Sequence, residues 1–300
     1  MDDRPRARPG FFKAHGLGND YLVFEEASGR DAGWRMTEAA IRRVCHPHMG
    51  IGADGIVLLR SGGGLIRLRM FNPDGSEFER SGNGLRILAA YLARTGRMGD
   101  EPLQVEVGGR HVTLHLHGRR GDSMDFSVEM GRARTGPEAV GLAPAALVRG
   151  RISGPGSERL AVTCVNVGNP HLVVWGEPLT RGRLEEVGPF LAGHPALTAG
   201  ANVQVAEIVG PGVCRMLIWE RGVGWTSASG TSACAVAVAA VRRGLLPAGE
   251  VRVEMEGGAL RVTVKPELEV VLRGPVEEVM EGRLTDRFLA GLPGAARSSV

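Results

Sequence analysis

Two segments of the chain are apolar on nearly every side. The first spans about Gly82 to Arg94 and is built mostly from Leu, Ile and Ala, and the second spans about Ser232 to Arg243 and is built mostly from Ala and Val. A helix at a protein surface keeps a polar face, whereas a helix that is apolar all round is buried. The pattern therefore predicts two core helices, one in each half of the chain.

Most other apolar segments are short and are bounded by Gly, Pro or Asp, which is typical of β-strands. Two further helices are predicted, over Glu38–Cys45 with Thr37 as N-cap, and over Leu284–Leu292, which we expect to return to the first half. Residues 132–144 are predicted to form a linker. Strands are predicted over 11–24 with a loop at 15–20, and over 56–59, 65–71, 103–107, 111–117, 124–130, 160–167, 171–175, 203–209, 213–220, 251–255, 260–264 and 268–272.

Several motifs recur at about half the chain length. Ser81 and Ser229 lie 148 positions apart, Asn19 and Asn169 lie 150 apart, and the Val-Glu-Val-Gly-Gly sequence at 105–109 returns in similar form at 253–258. Three matches at intervals of 148 to 150 positions indicate an internal duplication. We expect two similar domains, 1–135 (plus about 284–300) and 136–283, with the active cleft between them.

The two Ser-Gly pairs stand where the two core helices begin. The first backbone N–H groups of a helix have no partner inside it, and the helix dipole is positive there. Such a position can bind a carboxylate. One Ser-Gly pair would be ordinary capping, but two at the repeat interval predict a shared site for a small carboxylic acid.

Composition and charge exclude several classes of function. The 300 residues carry a formal net charge of only +3, which does not indicate a nucleic-acid surface. No apolar run approaches the roughly 20 residues of a membrane helix, and the charged start of the chain resembles neither a signal nor a transit peptide. The four cysteines show no paired spacing, which favours a reduced, cytoplasmic protein.

Sequence features that suggest a cofactor or a metal are outweighed by their context. Residues 50–55 spell G-x-G-x-x-G, but a dinucleotide site needs a strand before it and a helix after it, and here the predicted order is the reverse. Pyridoxal phosphate needs a Schiff-base lysine, and the only lysines are Lys13 and Lys265. His46 and His48 lack a second ligand cluster. We expect neither cofactor nor metal.

Six motifs, taken together and in order, resemble the diaminopimelate epimerase family over nearly the whole chain. They are His15-Gly-Leu-Gly-Asn-Asp20, Asn72-Pro-Asp-Gly-Ser76, Gly82-Asn-Gly84, Gly168-Asn-Pro-His171, Glu220-Arg-Gly222 and Gly230-Thr231. The resemblance implies a mixed α/β fold of two pseudo-symmetric domains, each a strand-rich sheet or barrel around a central apolar helix. It also implies a cofactor-independent inversion at the α-carbon of an amino acid, a homodimer, and a role in making lysine and cell-wall precursors.

The resemblance also implies the site residues. Ser81 and Ser229 stand at the two acid/base positions, which are cysteines in the family, with His171 and Glu220 beside them. Asn72, Asn202 and Arg221 match residues that hold the distal end of the substrate. Six further positions match family residues around the reacting centre: Asn19, Gly82, Asn83, Asn169, Gly230 and Thr231.

The two serines leave three hypotheses open. The first is a diaminopimelate epimerase that converts the LL to the meso form by a two-base mechanism, with serines that are either native or introduced. The second is a racemase or dehydratase for another amino acid. The third is a catalytically inert protein that binds an amino acid, because a serine hydroxyl needs an adjacent base to act.

Overall fold

The structure is a computed structural model that describes residues 10–26, 34–62, 64–121 and 123–293. Its helices are α1 Glu38–Cys45, α2 Gly82–Arg94, α3 Arg181–Ala192, α4 Gly230–Arg242 and α5 Asp286–Ala290, with 3₁₀ turns at Pro137–Val140, Pro144–Ala146 and Pro155–Ser157. The strands of the first half are β1 Gly10–Gly16, β2 Asn19–Glu25, β3 Ile56–Gly62, β4 Leu65–Phe71, β5 Glu77–Phe78, β6 Leu103–Val107, β7 Arg110–Arg120 and β8 Ser123–Arg132. Those of the second are β9 Arg134–Thr135, β10 Arg151–Ser153, β11 Arg159–Asn166, β12 Pro170–Trp175, β13 Asn202–Gly210, β14 Val213–Glu220, β15 Gly224–Thr226, β16 Gly249–Met255, β17 Gly258–Val264 and β18 Glu269–Arg283.

The chain folds into two units, one formed by residues up to Phe126 together with those from Val276 onward, and the other by Ser127–Pro275. In the first unit, β1 pairs antiparallel with β2 and with the C-terminal part of β18. Strand β2 runs parallel to β3, β3 antiparallel to β4, β4 parallel to β6 and β6 antiparallel to β7. Pairing of β8 with β18 completes a closed eight-stranded barrel.

The second unit repeats this order of pairings. Strands β11 and β12 are antiparallel, β12 and β13 parallel, β13 and β14 antiparallel, β14 and β16 parallel, and β16 and β17 antiparallel. Each unit places its apolar helix against its own strands: α2 packs on β1, β2, β3 and β7, and α4 packs on β11 to β14, β16 and β17. The predicted fold of two pseudo-symmetric, strand-rich units around central helices is confirmed.

The two core helices agree with their apolar patterns. Helix α2 has the predicted limits, and eleven of its thirteen residues are buried, as expected for a helix that is apolar on nearly every side. Helix α4 begins at Gly230, two residues before the predicted start, and ten of its residues are buried. Helix α1 also has its predicted limits, and the Thr37 hydroxyl caps it by accepting from the Ala40 N–H at 3.2 Å.

Several predictions of local structure were wrong or incomplete: the short strands β5, β10 and β15 were not predicted, and the strand predicted over 268–272 extends to Arg283 as β18. Helix α3 was missed, because Gly182, Gly188 and Pro189 interrupt its apolar pattern; its N-cap, Thr180, accepts from Arg183 N–H. The predicted linker contains β9 and a 3₁₀ turn. The predicted last helix is shortened to α5, whose flanking Leu284 and Leu292 lie in the core of the first unit.

Two of the excluded functions can be compared with the structure. Helix α1 precedes the G-x-G-x-x-G sequence and β3 follows it, so the order that a dinucleotide site needs is absent there. Among the residues that the structure describes, no helix is long and apolar enough to cross a membrane. All four cysteines are free and buried.

Gly75 lies in the turn after Asn72, and its replacement tests how tightly that turn packs on α1. Its φ is +91°, and an added Cβ would lie 2.3 Å from the Cα of Glu38. We expect Gly75→Ala to lower the free energy of unfolding by about 3 kcal/mol, because left-handed strain and overpacking add. Gly96 is the matched control, since its φ is +70° with open space around it, and Gly96→Ala should cost about 1 kcal/mol. Urea unfolding measures both, and equal losses would contradict the packing argument.

Candidate active site

Ser81 ends an extended segment and begins α2. Its Oγ accepts a hydrogen bond from the Gly84 N–H at 3.1 Å, and its own N–H donates to the Met70 sulfur at 3.3 Å. The N–H groups of Gly82 and Asn83 belong to the first turn and have no acceptor within the helix. Ser81 is half-buried, so this helix start combines a hydroxyl with backbone donors that suit a carboxylate.

Asn83 joins the start of α2 to the start of β2. Its Nδ2 donates to the main-chain oxygen of Asn19 at 2.6 Å and to the Asn19 Oδ1 at 2.9 Å. Its Oδ1 accepts from Nη2 of Arg86, a guanidinium that is only 1% exposed. Asn19 in turn donates from Nδ2 to Asp54 Oδ2 at 2.9 Å. The structure therefore brings the predicted residues Asn19 and Asn83 into direct contact.

Asn72 is held by its own turn. Its N–H donates to the main-chain oxygen of Ser76, and its Nδ2 donates to the Ser76 Oγ at 3.0 Å. That hydroxyl donates to Asp74 Oδ1 at 2.6 Å, and hydrogen bonds from Ser76 lower the pKa of Asp74. The carboxylate thus fixes the hydroxyl, and the hydroxyl fixes the carboxamide of Asn72.

Ser229 begins α4 as Ser81 begins α2, with one difference. Its main-chain oxygen accepts from the Ala233 N–H at 3.0 Å, but its side chain makes no capping hydrogen bond. Ser229 and Thr231 are half-buried and Gly230 is buried. The hydroxyl of Ser229 is therefore not committed to its helix in the way that the hydroxyl of Ser81 is.

His171 lies on β12 and is fully buried. Its Nε2 is 2.8 Å from Oδ1 of Asn169, and it pairs across the parallel ladder with Asn202. Its pKa is lowered to about 3, mainly because the ring is buried; the neighbouring Gln204 side chain acts in the opposite direction, and the positive charge of Arg221 adds to the lowering. His171 is therefore neutral at physiological pH, and its ring can accept or donate a hydrogen bond.

The pKa of His171 predicts an acid-dependent loss of stability. In the unfolded chain the pKa of an imidazole is about 6.5, whereas in the folded protein the pKa of His171 is about 3. Between these values the unfolded state binds the proton and the folded state does not, so stability present above pH 6.5 falls as the pH drops toward 3. We expect a slope of about 1.4 kcal/mol per pH unit that disappears in His171→Gln.

Denaturation at a series of pH values measures this slope. His111→Gln is the control, because His111 is exposed on β7. It should leave the slope unchanged. An undiminished slope in His171→Gln would show that other groups cause the acid sensitivity.

Asn202 and Arg221 form a second contact between predicted residues. The Asn202 Oδ1 accepts from the Arg221 N–H at 2.9 Å, and its Nδ2 donates to the main-chain oxygen of Pro170. The Arg221 Nη1 donates to the Ala199 oxygen at 2.7 Å. The guanidinium is anchored by one nitrogen, and its Nε–Nη2 edge has the geometry that a carboxylate accepts from in a bidentate pair.

The remaining predicted residue, Glu220, lies half-buried at the end of β14, directly before Arg221. Among the described residues, no three His, Cys, Asp or Glu side chains are grouped so that they could hold a metal ion. Sequence reasoning missed Asp54, Arg86 and Gln204. Arg86 carried a signal, since it is a charged residue inside a helix that was predicted to be buried.

Comparison with known proteins gives one consistent result. A family model described as diaminopimelate epimerase matches residues 11–136 and 163–279. A diaminopimelate epimerase of Desulforudis audaxviator is 40% identical over 279 residues, which cover 91% of this chain and 98% of that protein. A diaminopimelate epimerase of Moorella thermoacetica is 37% identical over 275 residues, covering 91% and 98%.

Solved structures share the fold at lower identity. A predicted epimerase of Pseudomonas aeruginosa superposes with a TM-score of 0.68 at 21% identity, covering 93% of this chain and 99% of that chain. A hydroxyproline epimerase of Agrobacterium vitis, solved with bound trans-4-hydroxy-L-proline, gives a TM-score of 0.67 at 15% identity, covering 92% and 90%. The two-unit architecture is therefore common to proteins named for different amino acids.

Proposed function

The chain belongs to the diaminopimelate epimerase family, and from this premise we propose that it binds diaminopimelate and inverts one of its α-carbons without a cofactor. Membership of the family makes the chain an isomerase that acts on a small amino acid. The observation that carries the proposal is the repeated helix start: Ser81-Gly82 and Ser229-Gly230 stand at equivalent places in two units with the same strand order.

Inversion without a cofactor needs two groups on opposite faces of one carbon. One group removes the α-proton, the electron pair left behind is delocalised into the carboxylate, and the other group delivers a proton to the opposite face. Backbone N–H groups at a helix start stabilise the charge that develops on the carboxylate. We assign the two proton transfers to Ser81 and Ser229, acting on one bound α-carbon.

A serine hydroxyl is a weak acid and needs a neighbouring acceptor for its proton. We assign this role to His171 and Glu220, which the family resemblance places beside the two acid/base positions. The lowered pKa keeps His171 neutral, so its ring can accept a hydrogen bond from a hydroxyl, while its role as a base rests on the family resemblance. Asn72, Asn202 and Arg221 are assigned to the distal end of the ligand, and Asn19, Asn83, Asn169 and Thr231 to the reacting centre.

Two features of the wider assembly belong to the same proposal. We propose that the protein acts in the cytoplasm, which the four free, buried cysteines support, since unpaired thiols suit a reducing compartment. We propose a homodimer on the family resemblance alone. Sedimentation equilibrium tests the second statement directly.

Incubation with LL-diaminopimelate in heavy water tests the reaction. Inversion carries solvent deuterium onto the α-carbon, so NMR is expected to show slow loss of the α-proton signal together with formation of the meso isomer. The Ser81→Ala/Ser229→Ala variant should lose this exchange. Exchange at an unchanged rate in that variant would remove both serines from the mechanism.

A second function is favoured by one observation: the Oγ of Ser81 is already engaged in capping α2. A protein that binds diaminopimelate without catalysis would show heat of binding in calorimetry and no α-deuterium uptake. Heat together with uptake supports the epimerase, and heat without uptake supports the binding protein.

A further inference from the structure

A chain of hydrogen bonds crosses the first unit from the inside of α2 to the protein surface. Arg86 Nη2 donates to Asn83 Oδ1 at 2.9 Å, Asn83 Nδ2 donates to Asn19 Oδ1 at 2.9 Å, and Asn19 Nδ2 donates to Asp54 Oδ2 at 2.9 Å. Arg86 and Asn83 are buried, whereas Asp54 is exposed. The two asparagines in the middle are both assigned above to the reacting centre.

The two ends of this chain give it a direction. A guanidinium has only donors, and an ionised carboxylate has only acceptors, whereas a carboxamide offers a donor and an acceptor on opposite sides. The main-chain oxygen of Asn19, which can only accept, receives a further hydrogen bond from the Nδ2 of Asn83 at 2.6 Å and favours the same orientation. With Arg86 at one end and Asp54 at the other, only one orientation of both carboxamides satisfies every hydrogen bond.

We propose that Arg86 and Asp54 are positioning residues that fix the carboxamides of Asn83 and Asn19 in the single orientation required by the bound amino acid. The inference rests on the proposed function, because that function is what makes Asn19 and Asn83 ligand-binding residues. Neither Arg86 nor Asp54 is assigned a contact with the ligand. Each acts through the asparagine next to it.

The surroundings of Asp54 hold its carboxylate in place for this role. The Asp20 N–H donates to the same Oδ2 at 3.0 Å, and the Asp54 N–H donates to Asp20 Oδ1 at 2.9 Å. Lys13 on β1 pairs with Asp20 at 2.7 Å, and the buried thiol of Cys45 at the end of α1 lies near enough to both carboxylates that their charges raise its pKa. The loop before β3 and the start of β2 are thereby locked to each other.

Calorimetric titration with meso-diaminopimelate tests the proposal through four variants. Asp54→Asn, which still offers an acceptor in one of its two orientations, is expected to weaken binding about 3- to 10-fold. Asp54→Lys replaces the obligate acceptor by an obligate donor and is expected to weaken binding more than Asp54→Asn does. Arg86→Met, which keeps the length of the side chain without its donors, is expected to weaken binding roughly 10- to 100-fold, and Arg86→Lys less than Arg86→Met.

The combination of variants separates positioning from simple structural support. Asp54 and Arg86 stand at the two ends of one series of hydrogen bonds. The Asp54→Asn/Arg86→Met double variant should therefore bind diaminopimelate about as weakly as Arg86→Met alone, whereas independent losses of affinity would multiply. Glu25→Gln is the matched control, since Glu25 is a carboxylate on β2, the strand of Asn19, and accepts hydrogen bonds from Tyr91 and Arg97. It is expected to leave the affinity unchanged.

Side-chain amide NMR of protein labelled with [¹⁵N]asparagine tests the chain without a ligand. The carboxamide signals of Asn19 and Asn83 should move together as the Asp54 carboxylate titrates, and neither should move in Asp54→Asn. Three results would overturn the inference. They are wild-type affinity in a folded Asp54→Asn variant, losses of affinity that multiply in the double variant, and Asn19 and Asn83 amide signals that do not change as Asp54 titrates. If the unmodified protein bound no diaminopimelate, the proposed function would fail, and coupled amide shifts would still establish the positioning chain.

Discussion

Cysteine at both Ser81 and Ser229 is expected to raise the rate of epimerisation of LL-diaminopimelate by about 10²- to 10⁴-fold, the range typical of a well-placed acid or base. A thiol has a reference pKa near about 8.5, and a helix N-terminus lowers it toward physiological pH. Each serine stands at such a position, at the first residue before a buried helix. The measurement is the initial rate of α-deuterium uptake and of meso isomer formation in heavy water.

The single variants show whether the two positions act on the same carbon. Inversion needs a base on one face of the carbon and an acid on the other. The rate gains of Ser81→Cys and Ser229→Cys alone should therefore multiply to far less than the rate gain of the double variant. Ser227→Cys is the control, because it places a thiol two residues before Ser229 without standing at the helix start. No gain in the double variant, in a protein that still binds diaminopimelate, would contradict the two-base assignment.

The fold was predictable where local pattern and burial agree. The limits of α2 follow from a capping serine and a run of residues that are apolar on nearly every side; in the structure Ser81 caps the helix and eleven of its residues are buried. The repeat of motifs at 148 to 150 positions predicted two similar units, and the strand pairings repeat accordingly. Helix α3 shows the limit of this reasoning, since its glycines and Pro189 weaken the period of 3.6 that marks a helix.

The sequence motifs name candidate site residues but do not reveal the contacts that support them. The motifs named Asn19 and Asn83, and the structure joins them by hydrogen bonds at 2.6 and 2.9 Å. In the sequence Asp54 stands only within the G-x-G-x-x-G segment, and nothing local to residues 50–55 shows that a carboxylate there reaches Asn19. Such a contact depends on the parallel pairing of β2 with β3, which is tertiary information.

Arg221 carries the second large prediction, because it is assigned to the distal carboxylate of the ligand. Gly200, at φ +69°, leaves room for it, since an added Cβ would lie 3.1 Å from the Arg221 Cδ. Removing one partner of a hydrogen-bonded charge pair typically costs 2 kcal/mol or more, so Arg221→Met should weaken diaminopimelate binding by about 30-fold or more. Calorimetric titration measures the loss.

The choice of ligand makes this prediction specific to the distal carboxylate. Lysine is diaminopimelate without one carboxyl group, so the unmodified protein should prefer diaminopimelate strongly, and Arg221→Met should lose most of that preference by weakening only the diaminopimelate complex. Arg151→Met is the matched control, because the Arg151 Nη1 also donates to a main-chain oxygen of the second unit, at 2.8 Å. If Arg221→Met weakened both ligands equally, the side chain would support the fold of the β14–β15 turn, and the distal carboxylate would need another partner.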